Sequence, residues 1–380
     1  MDISFKLDPE VLIGADTLGM AGTIASRHGS RIMVVAESKL GAPVITRLKE
    51  ILEDSGLEAI VYDRIDSSSS AEMADNIVQL TSASYCDAII GLGGQNAQII
   101  ARMASILANP KLSSFDLLDG TISKETILQN GPLPFISIPT EGTYAFSFSN
   151  YFIAADPRHR VLKLIRSPNN LCSSVIIDSN LFTMLSDNTA GLFIMEGLFT
   201  ALEAYCSSKA NFFSDTILEK ALTGFAKLIK TGASVVNADA FAQAVFLGSL
   251  GASASSPGIG TALSAAINVR TPISRTKCSA ILFPAIAARL VSSRPEKMAR
   301  LASLLGVPKA ATTAETASAA VDVIRQNLAN LNIPLNLKEH GVKIDRLVAA
   351  CETARKLDFV ANSPWPVAEE EVFNILKELF

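Results

Sequence analysis

Between Arg31 and Ala108 the chain switches repeatedly between two hydrophobic periods, and this alternation restricts the fold more than any single motif does. The runs "RIMVVAES", "LEAIVYDRI" and "CDAIIGLGG" are short, apolar and of buried-strand length. Between and after them, "GAPVITRLKEILEDSG", "SAEMADNIVQLTSASY" and "QNAQIIARMASILA" space their apolar residues as helices do. Strands alternating with helices of this length make βαβ units, which build a parallel sheet covered on both faces. From about Asn180 to Phe380 the pattern is almost wholly helical. The expected architecture is an α/β, Rossmann-like nucleotide-binding domain over residues 1–179 and an all-helical domain over residues 180–380.

Composition narrows the partners. A chain of 380 residues can bury a sizeable core, and 49% apolar against 18% charged residues excludes global disorder. A net charge of −4 with no dense Lys/Arg run excludes the electrostatic footprint of a nucleic-acid or anionic-membrane binder. The uncharged stretch from Ala240 to Val269 is interrupted by "GASASSPGIG", so it reads as helix, buried loop and helix, not as a membrane span. Five single cysteines without a CxxC pair suit a reducing cytoplasm, the expected location. Asp2, Lys6, Asp8 and Glu10 leave no room for a signal-peptide apolar region.

Two stretches carry polar chemistry. In "DAIIGLGGQNAQII", Gly91, Gly93 and Gly94 fall between a strand and a helix, where bare backbone and a helix N-terminus can cradle a phosphate. The same glycines suit a tight turn without a ligand, and GxGxxG is absent. Glu37 ends the first strand, where a carboxylate accepts from ribose hydroxyls and repels a 2′-phosphate; a solvated strand-end Glu fits as well. In "MEGLFTALEAYCSSKANFFSD", Glu196, Thr200 and Glu203 share one side of a helix. That spacing offers a metal two ligands, but threonine is a poor one.

Taken together, "GLGGQN", "ISIPTEGTYAFS", "VIIDSNL", "ALEAYCSSKANFFSDTILEKAL", "LNIPLNLKEHGV" and "ANSPWPVAEEEVFNILKELF" resemble, in order, the motifs of the iron-containing alcohol dehydrogenase family, with its dehydroquinate synthase-like fold. The resemblance implies an NAD(P)-dependent alcohol or aldehyde oxidoreductase acting on a small molecule, and a homodimer. It places the cofactor at Gly93, Gly94, Gln95, Asn96, Thr140 and Thr143, and the charge of Glu37, the further cofactor-binding candidate, favours NAD over NADP. Glu141, Tyr144 and Phe146 stand where the family has smaller residues, and Glu141 adds negative charge beside the dinucleotide path.

The family's four metal-ligand positions fall at Glu196, Thr200, Thr261 and Arg275, and its proton-relay position at Ala265. None of the chain's three histidines, His28, His159 and His340, coincides with them, so no metal is expected. Glu196 and Arg275 are instead expected to face each other across the cleft between the domains. The candidate catalytic residues are Arg275, Glu196 and Lys163, with Lys277 as an alternative cation; arginine suits an anionic substrate. Asp178 is expected to close the domain junction. The competing implication is a catalytically inactive relative serving as a binding or assembly module; a lyase or isomerase of the wider fold ranks behind both.

Overall fold

The computed structural model describes residues 5–66, 71–108, 111–129, 131–167, 172–231 and 237–380. Asp2 and Ser70, both used in the sequence reading, lie outside the described residues. The chain divides into two compact units. The first runs to Glu141 and takes in Phe148–His159 and Lys163–Met184; the second comprises Gly142–Ser147, Arg160–Leu162 and Leu185–Phe380.

The first unit holds strands β1 (Glu10–Gly14), β2 (Arg31–Glu37), β3 (Glu58–Ile65), β4 (Ala88–Gly93), β5 (Phe135–Pro139) and β8 (Cys172–Asp178) in one six-stranded sheet, ordered β1-β8-β5-β4-β2-β3. Each recorded pairing is parallel. Helices α1 (Ala21–Ala25), α2 (Ala42–Asp54), α3 (Glu72–Ala83), α4 (Gln95–Leu107), α5 (Ser114–Asp119) and α6 (Lys124–Gln129) lie between the strands, and α7 (Ser179–Phe182) follows the last of them. Ile32, Val34 and Ala36 of β2, Ala88, Ile90 and Leu92 of β4, and Leu48 and Leu52 of α2 form one buried cluster, which is why these strands read as unbroken apolar runs. A separate ribbon pairs β6 (Tyr151–Asp156) with β7 (Val161–Arg166).

The strand order matters for function. The chain leaves β2 toward β3 on one side and returns to β4 on the other. Ligands of open α/β sheets bind outside the carboxyl ends of strands at such a reversal. Ala36 pairs with Leu92 there, so Glu37 and the glycine turn after β4 are neighbours.

The second unit contains α8 (Asp187–Cys206), α9 (Phe212–Thr231), α10 (Ala238–Ala254), α11 (Ile259–Asn268), α12 (Arg275–Ser293), α13 (Pro295–Leu305), α14 (Thr313–Asn330), α15 (Ile344–Arg355) and α16 (Glu369–Glu378). α8 is buried along nearly its whole length, and the Phe199 and Phe283 rings meet at 5.0 Å between centroids. The uncharged stretch after Ala240 forms α10, a loop and α11, and no helix among the described residues is long and apolar enough to cross a membrane.

Candidate functional site

The glycine turn is built by its neighbours. Gly93 has φ +139°, a backbone that side-chain-bearing residues rarely adopt, and Gly94 opens α4. Gln98, one turn into α4, locks it: its amide donates to the carbonyls of Gly91 at 2.9 Å, Gly93 at 3.1 Å and Ile138 at 3.3 Å. The Ser137 hydroxyl donates to the Gln98 Oε1 at 2.7 Å. Asn96 donates to the Asp66 carbonyl at 2.9 Å, which ties the start of α4 to the end of β3. Thr140 donates its N–H to the Gly93 carbonyl at 3.2 Å and is buried, and its hydroxyl has no partner among the described residues.

Charge gathers at the same turn. Lys39 forms one ion pair with Glu141 and another, at 3.2 Å, with the buried Glu37. Burial and then the Glu141 charge push Glu37 above the usual carboxylate range, with Lys39 pulling the other way. Burial works against the Lys39 ammonium too, but the two carboxylates outweigh it and raise its pKa.

The helix carrying Glu196, Thr200 and Glu203 is α8, and its polar residues have separate partners. Glu196 accepts from the Arg275 guanidinium at 3.0 Å and from the Thr276 hydroxyl at 2.9 Å. The Glu196 side chain is 2% exposed and that of Arg275 17%. The Tyr144 ring centroid lies 5.7 Å from the guanidinium carbon. This ion pair is the expected meeting of Glu196 and Arg275, and it joins α8 to the first turn of α12 inside the helical unit. Glu203 turns to α11: it accepts from the N–H groups of Gly260 at 2.7 Å and Thr261 at 2.8 Å, and from the Thr261 hydroxyl at 2.7 Å.

Other expected residues are distributed differently. Thr143 belongs to the helical unit, buried against the positions of Gly197 and Gly248, so it is not one of the residues that build the glycine turn. Lys163 lies half-buried on β7, where its charge acts on Asp119. Asp178 caps α7 through the Asn180 N–H at 2.9 Å and accepts from the Leu18 N–H at 2.8 Å. Gln98, Ser137, Lys39 and Thr276 were missed. Only Lys39, two residues past Glu37, carried a readable sign, as the nearest cation to a strand-end acid.

A second charge cluster serves the ribbon. Arg158 pairs with Asp156 at 2.9 Å and with Asp119 at 2.7 Å. The Arg158 hydrogen bonds hold Asp156 down to about 2. A carboxyl lowered in the folded state adds stability above the ordinary carboxylate range and loses it as pH falls toward about 2. Asp156→Asn should therefore be less stable at neutral pH, and its deficit should shrink between roughly pH 4 and 2. Urea midpoints across that range check this; a deficit constant with pH would refute it.

A six-stranded parallel sheet with a glycine turn at its strand reversal, followed in the chain by a helical unit, defines an α/β plus all-helical protein of dehydroquinate synthase-like architecture. Residues 8–179 match the family described as "Iron-containing alcohol dehydrogenase", and residues 194–380 match "Fe-containing alcohol dehydrogenase family, C-terminal". The chain belongs to the iron-containing alcohol dehydrogenase family. It is 23% identical over 343 residues to the choline dehydrogenase of Bacillus subtilis (strain 168), covering 89% of this chain and 84% of that one. It is 21% identical over 360 residues to the 1,3-propanediol dehydrogenase of Citrobacter freundii, covering 93% and 92%. Among solved structures, a 1,3-propanediol oxidoreductase superposes with TM-score 0.90 at 20% identity over 100% of both chains. The NADH-dependent butanol dehydrogenase A of Thermotoga maritima superposes with TM-score 0.82 at 17% identity, over 100% of this chain and 98% of that one.

The donor set at the family's metal position does not fit iron or zinc. Arg275 brings positive charge and no lone pair, the Glu196 carboxylate is engaged by Arg275 and Thr276, and Thr200 and Thr261 offer only neutral hydroxyls, which are poor ligands. Among the described residues no three His, Cys, Asp or Glu side chains gather as a metal would need.

Proposed function

We propose that this chain is an alcohol or aldehyde oxidoreductase that works without a metal ion, with Arg275 as the cation at the reacting oxygen. The observation that carries the reading is the Glu196–Arg275–Thr276 cluster. A guanidinium stays charged at any working pH and can stabilise a developing alkoxide by donating to it, which is the electrostatic part of a Lewis acid's task. It also binds carboxylates and phosphates bidentately, so a small substrate with an anionic group suits it. Glu196, itself fixed by the Thr276 hydroxyl, holds the guanidinium in place, which spares reorganisation during reaction.

Gly93, Gly94, Gln95 and Asn96, at the N-terminus of α4, would hold the pyrophosphate of a dinucleotide, whose nicotinamide supplies the hydride chemistry when bound. The carboxylate of Glu141 already stands over Gly94 as an anion would. Glu37 favours NAD, because the extra phosphate of NADP would meet its charge. The same Glu141 favours a second reading, a catalytically silent binding or assembly module, since the cradle is filled by the chain itself.

Untagged protein assayed over a panel of alcohols and aldehydes separates these readings. Turnover with NAD should survive a chelator, and elemental analysis should find no stoichiometric iron or zinc. NADH should bind more tightly than NADPH. About one metal ion per chain, lost in Glu196→Ala, would overturn the metal-free mechanism. NADH binding without any turnover would favour the silent module.

A further inference from the structure

Glu141 leaves β5 two residues past Pro139, and its carboxylate fills the space that a Cβ on Gly94 would occupy. Lys39, just beyond the end of β2, ties it there while also pairing with Glu37. Two carboxylates against one ammonium leave net negative charge at the N-terminus of α4, a helix of thirteen residues. Such an end attracts anions through its free N–H groups. Thr140, whose backbone N–H donates to the Gly93 carbonyl, has a buried hydroxyl with no hydrogen-bond partner among the described residues, a group that calls for an explanation. A stand-in anion and an unsatisfied hydroxyl thus belong to consecutive residues after β5, Thr140 bonded through its backbone to Gly93 and Glu141 placed over Gly94.

We propose that Glu141 is a displaceable occupant of the phosphate turn: its carboxylate holds the place of a ligand's phosphate and must swing out before that phosphate can enter, leaving Lys39 to pair with the newcomer. The proposal rests on the dinucleotide reading above. The Lys39 side chain is 61% exposed and that of Glu141 16%, so the pair can part toward solvent without disturbing the sheet beneath. Ligand binding then exchanges one anion for another. It breaks the Lys39–Glu141 pair, relieves the repulsion between Glu141 and Glu37, and forms a Lys39–phosphate pair. Affinity should consequently be set by Glu141 even though Glu141 touches no ligand once displaced.

The test is calorimetric titration of NADH and of inorganic pyrophosphate into the wild type, Glu141→Ala, Glu141→Gln and the double variant Glu141→Ala/Gly94→Val. Removing a like charge within a few ångströms of the phosphate should tighten NADH binding in Glu141→Ala by at least about tenfold. Glu141→Gln, which keeps the volume and loses the charge, should fall between Glu141→Ala and the wild type. Adding Gly94→Val should abolish the gain by filling the vacated space. Equal, measurable NADH affinity in the wild type and Glu141→Ala would overturn the occupant role and leave the dinucleotide reading standing. Absence of NADH and pyrophosphate binding in every variant would sink both. Pyrophosphate binding that appears only in Glu141→Ala, without NADH binding, would support the occupant role, overturn the dinucleotide reading and assign the turn to free phosphates.

Discussion

Replacing Arg275 by alanine should lower the unfolding free energy by about 3–4 kcal/mol at neutral pH, within the range for breaking a buried pair by removing one partner. The size follows from which charge remains. Glu196 is 2% exposed, so without the guanidinium its carboxylate keeps the Thr276 hydroxyl but loses the counter-charge that offset its desolvation. The variant can escape by protonating the acid. From an ordinary Glu pKa of about 4.3, that escape costs no more than about 4 kcal/mol at pH 7, at about 1.36 kcal/mol per unit. The cap gives the prediction a pH signature. In the variant the folded-state pKa of Glu196 is raised, so the deficit relative to the wild type should shrink as pH falls from 7 toward 4.

Removing both charges together should be milder. The double variant Glu196→Leu/Arg275→Met should be more stable than either single alanine variant, because no charge is left buried. Denaturant midpoints at several pH values read all of this. A loss for Arg275→Ala below about 1 kcal/mol, the value of an exposed pair, would mean that water reaches Glu196 freely.

The fold was more legible than the site, and for a physical reason. Strands β2, β3 and β4 are each buried or half-buried over a continuous stretch, so their apolar runs mark them to within a residue or two. The ribbon of β6 and β7 escaped notice because "YFIAAD" and "VLKLIR" flank a polar turn, and one sequence does not say whether such a pair joins a sheet or stands apart. Site partners are further from view. Arg275 and Glu196 are 79 residues apart, and their meeting was inferred only through the family resemblance. Thr276, the second donor to Glu196, has no counterpart in that inference. At the turn, Glu141 was noticed as misplaced negative charge, but its partner Lys39 lies 102 residues away and no spacing connects them. Periodicity reports which face of an element is buried; it is silent about which polar groups meet across the core.

Glu203 shows the same limit and supplies the other large effect. It lies on α8 seven residues after Glu196 and shared its place on the helix in the sequence reading, yet it caps the first turn of α11 through three short hydrogen bonds. A helix N-terminus inside a protein must find acceptors for its free N–H groups, and a carboxylate does so with favourable charge against the helix dipole. Glu203→Ala would leave two backbone N–H groups and the Thr261 hydroxyl without that acceptor in a buried site. Each such group costs about 1–3 kcal/mol, so a loss of about 3–5 kcal/mol is expected. Glu203→Gln should recover only part of it, since its amide nitrogen would face donors that its oxygen alone cannot satisfy. Burial raises the Glu203 pKa, with the Thr261 and Gly260 bonds acting against the shift. A raised folded-state pKa means that the native protein holds its proton longer than the unfolded chain. The wild type should therefore lose stability as pH rises from the ordinary carboxylate range through the folded value, and Glu203→Gln should lack that slope. Thermal or chemical unfolding from pH 4 to 8 checks both parts. A Glu203→Ala protein within about 1 kcal/mol of the wild type would show that other acceptors, water among them, cap α11 equally well.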